Sequence, residues 1–244
     1  MKVLTLCALL GMSGSLFAGE IGCVYQAGRN AQIMKAGQDQ PWRAVKKAMP
    51  FSEGDRVKTG NGGFCEILLK DGTFIRVDEG SELSASELQL SAAGRTYSFS
   101  LLLGKAMWLA AKVKAAFVSK FEVRTAAAVC AVRGTAFAVS VSSNDTSVGL
   151  FEGSMSVAAG SDSKEITPGT EATASNGAVA VQARLSRLME KENKRYAKLK
   201  DRVEDLRKRL AKRDDFIDSY LDAQGRKVSD YEKRQAERLE KRGK

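Results

Sequence analysis

Turn-forming residues recur along the first three quarters of this chain and leave room for little but short strands. They are Gly54-Asp55, Asn61-Gly62-Gly63, Asp71-Gly72, Glu79-Gly80, Gly94, Gly104, Glu152-Gly153, Pro168-Gly169 and Asn176-Gly177. Glycine enters left-handed backbone without a Cβ clash, and Asn-Gly and Asp-Gly are strong hairpin signals. Between most of them lie segments that suit strands of about five to eight residues. The plainest strand is the block VRTAAAVCAVRGTAFAVSV at residues 123–141, small and β-branched residues around one Arg-Gly-Thr. In 74–77 and 138–141 apolar and polar residues alternate, which predicts one dry and one wet face for each strand. Ile21 to Tyr25 and Ala31 to Met34 read as further strands about a Gly28-Arg29-Asn30 turn. The pattern predicts a mainly β fold and does not choose among sandwich, barrel and solenoid.

The composition changes after Val181. Residues 182–244 contain no proline, two glycines, 21 Lys and Arg and 13 Asp and Glu. Their net charge of +8 is most of the +10 of the whole chain. Helix-favouring charged residues dominate, and a heptad frame fits them. Its a positions are Met189, Tyr196, Val203, Leu210, Ile217, Gln224 and Tyr231; its d positions are Leu185, Glu192, Leu199, Leu206, Arg213, Tyr220 and Lys227. The frame is cleanest from Tyr196 to Tyr220 and is spoiled at Glu192 and Arg213. A lone helix with one apolar stripe is marginal in water, so the stripe needs a partner. The expectation is a coiled-coil-type helix pairing with itself or with a protein partner, broken near Gly225 and frayed beyond Ser229. The organisation predicted is a leader at 1–18, a β domain at 19–181 and a basic helix at 182–244.

The leader has the marks of a secretory signal: Lys2, an apolar run from Val3 to Phe17, and Leu16-Phe17-Ala18 before Gly19. That run is shorter than the roughly 20 residues of a membrane span. An exported product in the periplasm or envelope is expected. Cys23, Cys65 and Cys130 remain after cleavage, an odd number. Cys65 and Cys130 fall in strands, where they form a disulfide or stay as buried thiols. Glu20 stands where lipid attachment at Cys23 needs an aliphatic residue.

The chain has no histidine. Histidine-based triads and histidine metal sites are therefore excluded. The scattered cysteines form no C-x-x-C pair, and no phosphate-cradling glycine loop opens a helix. No catalytic, cofactor or metal residues are assigned. Acidic pairs such as Asp214-Asp215 and Asp78-Glu79 read as solvated surface. Arg133 has two readings: a guanidinium holding a carboxylate or phosphate in a β groove, or the closing group of a structural network at a strand bend. The latter is preferred because Val132 and Phe137 beside it look like core. The basic helix suits a solvated face with i,i+4 ion pairs. An anionic membrane surface or envelope polymer is a second partner class. Nucleic acid is disfavoured by export.

Three landmarks in fixed order carry a family likeness. They are Gly54-Asp55-Arg56-Val57-Lys58-Thr59-Gly60, then Asp71-Gly72-Thr73, then Val132-Arg133-Gly134-Thr135-Ala136-Phe137 followed by Glu152-Gly153 and Val157. Together they resemble the FecR domain, named for the periplasmic regulator of ferric citrate uptake, over 45–181. Trp42, after Pro41, fits the aromatic that such domains carry ahead of the first turn. Thr125-Ala126 stands where the family often has Thr-Pro. The resemblance implies a twisted double-layered β structure with solenoid-like coils, a structural role for Gly54, Asp55, Gly60, Asp71, Gly72, Arg133, Gly134, Thr135, Phe137, Glu152 and Gly153, and a part in signal relay. The expected function is a non-enzymatic envelope interaction or scaffold module, or else an accessory sensor or a binder of cell-wall polymer.

Overall fold

The computed structural model describes residues 21–37, 41–113, 117–143, 145–212, 217, 219, 220, 222 and 223. The leader, Arg213, Gln224, Lys227, Tyr231, the Gly225 break and the segment after Ser229 lie outside the described residues. Strands come first: β1 (Gly22–Ala27), β2 (Ala31–Met34), β3 (Arg43–Ala44), β4 (Pro50–Phe51), β5 (Arg56–Thr59), β6 (Cys65–Leu69), β7 (Phe74–Val77) and β8 (Glu82–Leu90). Three long ones are β9 (Gly94–Leu109), β11 (Val129–Val141) and β12 (Thr146–Ala159), with β10 (Val118–Arg124) between the first two. β13 (Asp162–Ile166), β14 (Glu171–Ser175) and β15 (Ala178–Gln182) precede one helix, α1 (Arg187–Lys212). The fold class is mainly β with a C-terminal helix.

All strands join one hydrogen-bonded network whose longest path runs from β15 to β4. Its long strands each serve two neighbourhoods. β9 pairs with β8 and β10 along residues 94–103, then with β7 and β11 along 104–109. β11 pairs with β10 along 129–131 and with β9 along 136–141. β12 pairs with β14 along 146–149 and with β13 along 155–159. A left-handed glycine marks each change: Gly104 (φ +78°), Gly134 (φ +58°) and Gly153 (φ +92°). Such bends let one strand pass from one packed layer to the other. β9–β10 is the one parallel pairing among the described residues. The pairings are otherwise antiparallel and do not confirm the expected solenoid-like coils.

β6, β7, residues 104–109 of β9, 136–141 of β11 and 146–150 of β12 form a first layer, and β8, residues 94–103 of β9 and β10 a second. Side chains of the first alternate between two apolar clusters. Ile67, Ile75, Val77, Trp108, Phe137, Val139 and Leu150 face inward and meet Leu83, Tyr97, Phe99 and Phe121 of the second layer. Trp108 stacks on Phe137, with ring centroids 5.2 Å apart and planes 7° apart. Leu68, Phe74, Met107, Leu109, Ala136 and Ala138 face outward and are buried under α1. In Phe74–Val77 and residues 138–141 the outward positions are thus buried at Phe74 and Ala138 and half-buried at Arg76 and Ser140. The run is covered on both sides, as in a sheet flanked by helices.

The helix stripe read from the heptads is the covering surface. Met189, Tyr196, Val203 and Leu206 are buried against the outward cluster, and Leu185, Leu199 and Leu210 pack at its margin. Ile217 is also buried, and Tyr220 stacks on Tyr25 at 6.4 Å. The stripe expected to pair with a copy of itself or with a protein partner is buried against the β domain of its own chain. The stripe finds its apolar partner in the same chain, and the sheet's outer face is buried with it. Ser186 caps α1: its Oγ accepts from the Met189 N–H at 3.3 Å, and the buried Glu171 carboxylate accepts from the Ser186 N–H at 2.6 Å.

The cysteines also resolve. Cys23, Cys65 and Cys130 are buried, and no disulfide joins them among the described residues. Cys65 lies opposite Ala27 and Val77, whereas Cys130 lies opposite Val123 and Val157, so no ladder brings the two together.

Candidate functional site

Glu152 in β12 comes opposite Ala136 in β11, across a bulge where Gly134 and Gly153 both take left-handed backbone. A Cβ on Gly153 would lie 2.6 Å from Thr135 Cγ2 and 2.8 Å from the Gly134 carbonyl oxygen, so only glycine allows this approach. The Arg-Gly-Thr and Glu-Gly landmarks are therefore two halves of one bulge. Asp71 and Gly72, in the hairpin between β6 and β7, reach the same place. Asp71 Oδ1 accepts the Thr73 N–H at 2.9 Å and Asp71 ion-pairs with Arg95. Arg95, 2% exposed, also donates to Ser119 Oγ and to the Ala111 carbonyl, each at 2.9 Å.

Above this junction α1 supplies Tyr196, Lys200, Glu204 and Arg207. Together with Lys112, Thr135 and Glu152 they line a cavity of about 420 Å³. Glu152 is its electrostatic centre. Its carboxylate accepts from Lys112 Nζ at 2.8 Å, Lys200 Nζ at 2.9 Å and the Tyr196 hydroxyl. Those hydrogen bonds, with Lys112 first, hold its pKa down from 4.5 to about 2. Burial, then the donation to Glu152, pushes the Tyr196 phenol up. Arg207 closes the far wall, donating to the Gly72 carbonyl at 3.0 Å and the Leu109 carbonyl at 2.8 Å.

A second charged group ties α1 to the sheet. Glu66 accepts from Arg76 at 2.6 Å and Arg202 at 2.7 Å. Asp78 accepts from Arg76 at 3.0 Å and Arg195 at 2.6 Å. Glu192, 1% exposed, accepts from Lys105 at 2.5 Å and Arg195 at 2.8 Å. Glu66 and Asp78 are also buried, so these charges depend on one another: removing one partner leaves the rest uncompensated. Sequence reading passed over Glu66, Arg95, Lys105, Arg195, Arg202 and Arg207. The signal for them is a charge inside an apolar run, such as Glu66 in Phe64–Leu69, and the heptad flaw at Glu192.

The other motif residues sit elsewhere. Asp55 is buried; it ion-pairs with Lys35 and accepts the Ala36 and Ser52 N–H groups at 3.1 and 2.9 Å. Gly54 (φ +79°) abuts Ala36, and the Gly60 N–H donates to the Asn30 carbonyl at 2.8 Å. These close the β2–β5 corner away from the cavity. Trp42 lies over Lys58, 4.2 Å from its ammonium. Phe137 is core. Arg133 is exposed and among the described residues makes no ion pair, so it closes no network. That work falls to Arg95 and Arg207.

The arrangement bears directly on chemistry. Each cavity acid is matched by a base, and Glu152 is ionised and saturated with donors. The described residues hold no cluster of three metal-ligating side chains. No helix among them is long and apolar enough to cross a membrane.

Residues 55–156 match the family model described as FecR protein. No curated protein matches the chain. Two crystal structures of a candidate anti-sigma factor from Parabacteroides distasonis, at 1.65 and 2.50 Å resolution, are similar to it at 19% identity and a TM-score of 0.44. The likeness covers 53% of this chain and 59% of each of those. This chain thus spans under two thirds of the length of the structures it matches. The match at 55–156 contains the Asp71 hairpin, the Arg133 strand and the Glu152-Gly153 bulge, and by it the chain carries a FecR domain.

Proposed function

We propose that the chain is an exported, non-catalytic regulatory module that takes part in envelope signalling by binding a protein partner. The FecR domain carries this reading, since members of that family serve regulation in the envelope. The electrostatics agree with it. A general base needs a pKa near the working pH, and Glu152, held at about 2 by two lysines and a tyrosine, is a poor one. The apolar stripe of α1 is spent on the sheet, so a partner engages the β surface or the outward side of the helix. Deleting the gene in its host should change transcription of a defined envelope gene set, and the full chain should restore it. An unchanged transcript profile would rule the signalling role out.

A second reading rests on the outward face of α1. Arg187, Lys191, Lys194, Lys198, Lys208 and Lys212 are exposed there, suiting an acidic envelope polymer. Failure to co-sediment with purified sacculi at low salt would remove it.

A further inference from the structure

β10 and β11 pair only at Glu122–Arg124 against Val129–Ala131. Beyond Ala131 they part. Val118–Phe121 still pairs with β9 on its other edge, and Val132–Arg133 still pairs with β12, but the edges facing each other carry no ladder among the described residues. Ser119–Glu122 on one side and Ala131–Arg133 on the other wall a groove of about 290 Å³. It continues into a wider one of about 590 Å³, sharing Ser119 and Arg133 and reaching Lys112 and Gly153. The splay is built in, because the Gly134 bulge turns β11 away from β10 toward β9. Two strand edges inside a sheet thus face open space, where unpaired N–H and C=O groups can take up another strand.

The charge of the groove says what kind of strand. The nearby acids are already matched: Glu122 by Arg124 at 2.7 Å, and Glu152 by Lys112 and Lys200. Lys120 lies 3.9 Å from Glu122, and Arg133 has no ion-pair partner among the described residues. The groove therefore has positive charge to spare, with a guanidinium suited to two-point hydrogen bonding of a carboxylate.

We propose that this cleft receives the tip of an extended peptide segment of a protein partner, and that Arg133 pairs with an Asp or Glu side chain on it. The inserted segment hydrogen-bonds to β10 on one side and β11 on the other. Because those strands are antiparallel, it runs parallel to one and antiparallel to the other. This deepens the reading of the chain as a protein-binding module and rests on it.

The test uses residues 19–244 and two acetylated, amidated peptides, Thr-Val-Glu-Val-Thr and its Gln counterpart, with fluorescence anisotropy and amide hydrogen exchange. The Glu peptide should bind about tenfold more tightly and slow exchange at 118–121 and 132–133. Arg133→Gln should erase the difference, Arg133→Lys should keep part of it, and N-methylation of alternate peptide nitrogens should abolish binding. Equal affinity for the two peptides, no binding up to millimolar concentration, protection elsewhere, or binding of polygalacturonate in place of either peptide would overturn the proposal. The two readings fail separately. Peptide binding with an unchanged transcript profile on gene deletion sinks the signalling role alone; a changed profile with no protection of β10 and β11 sinks the cleft alone.

Discussion

Truncating Leu206 asks whether α1 is part of the folded core. Leu206 is 3% exposed and lies in the outward cluster with Phe74, Met107, Leu109 and Val203. Leu→Ala at a buried site loses the transfer free energy of the side chain and leaves a cavity, together about 3 kcal/mol. For a body of roughly 200 residues each kcal/mol moves the melting midpoint by about 2–4 °C. Leu206→Ala should therefore melt about 6–12 °C below the parent. Leu188, on the same helix but 40% exposed, is the control; Leu188→Ala should stay within about 2 °C. Thermal melts of residues 19–244 followed by far-ultraviolet circular dichroism read both at several protein concentrations. Coincident melts of the two variants would show that α1 is not packed on the sheet. A midpoint that rises with concentration would show that the stripe's partner is another copy of the chain.

Three further outcomes follow from the same contacts. Glu152 has a folded pKa near 2 against 4.5 unperturbed. Its ion pairs contribute fully above pH 4.5 and are lost as pH falls toward 2; at a partly exposed site this is worth about 1 kcal/mol or less. Glu152→Gln should thus flatten the acid limb of a urea-midpoint profile below pH 4.5 and leave its alkaline side parallel to the parent, and an unchanged acid limb would contradict the pairing. Gly134→Ala meets only Lys112, at 3.4 Å, and should cost about 1 kcal/mol for its left-handed backbone. Gly153→Ala adds contacts at 2.6 and 2.8 Å and should cost about 2–4 kcal/mol by urea denaturation; the reverse order would refute the bulge geometry. Burial pushes the Cys65 and Cys130 thiols up to about 12. With Cys23 they should resist a thiol reagent in the native protein and react in denaturant without reductant, and a missing pair would reveal a disulfide.

Local chemistry made the β class, most turn positions and the helix stripe legible. Asn30 takes left-handed backbone at φ 59° in the Gly28-Arg29-Asn30 turn, and Gly72 does so at φ +85° beside Asp71. Gly104 and Gly153 carry the same local signal yet sit inside strands of 16 and 14 residues, because a glycine that reverses a hairpin and one that bends a strand between layers have the same freedom. The stripe named its own residues but not its partner. A helix that packs on a sheet and one that packs on a copy of itself need similar apolar faces, and only the matching run on the sheet separates them. That run, Leu68, Phe74, Met107 and Leu109, is interleaved with inward-facing residues and hides as continuous hydrophobicity. The ionic groups between helix and sheet were out of reach because each pairs across large sequence separations, as Glu66 does with Arg202.

The docking of α1 is tested most directly by a cysteine pair. A Cβ on Gly149 would lie 3.0 Å from Met189 Cβ, about 0.5 Å inside the shortest Cβ separation of a disulfide, so a small outward shift of α1 seats the bridge. Gly149→Cys with Met189→Cys, oxidised in dilute solution and run without reductant, should give a cross-linked monomer that reduction reverses. Covalent dimers, or two thiols that never join while the protein stays folded, would contradict a helix packed on its own sheet.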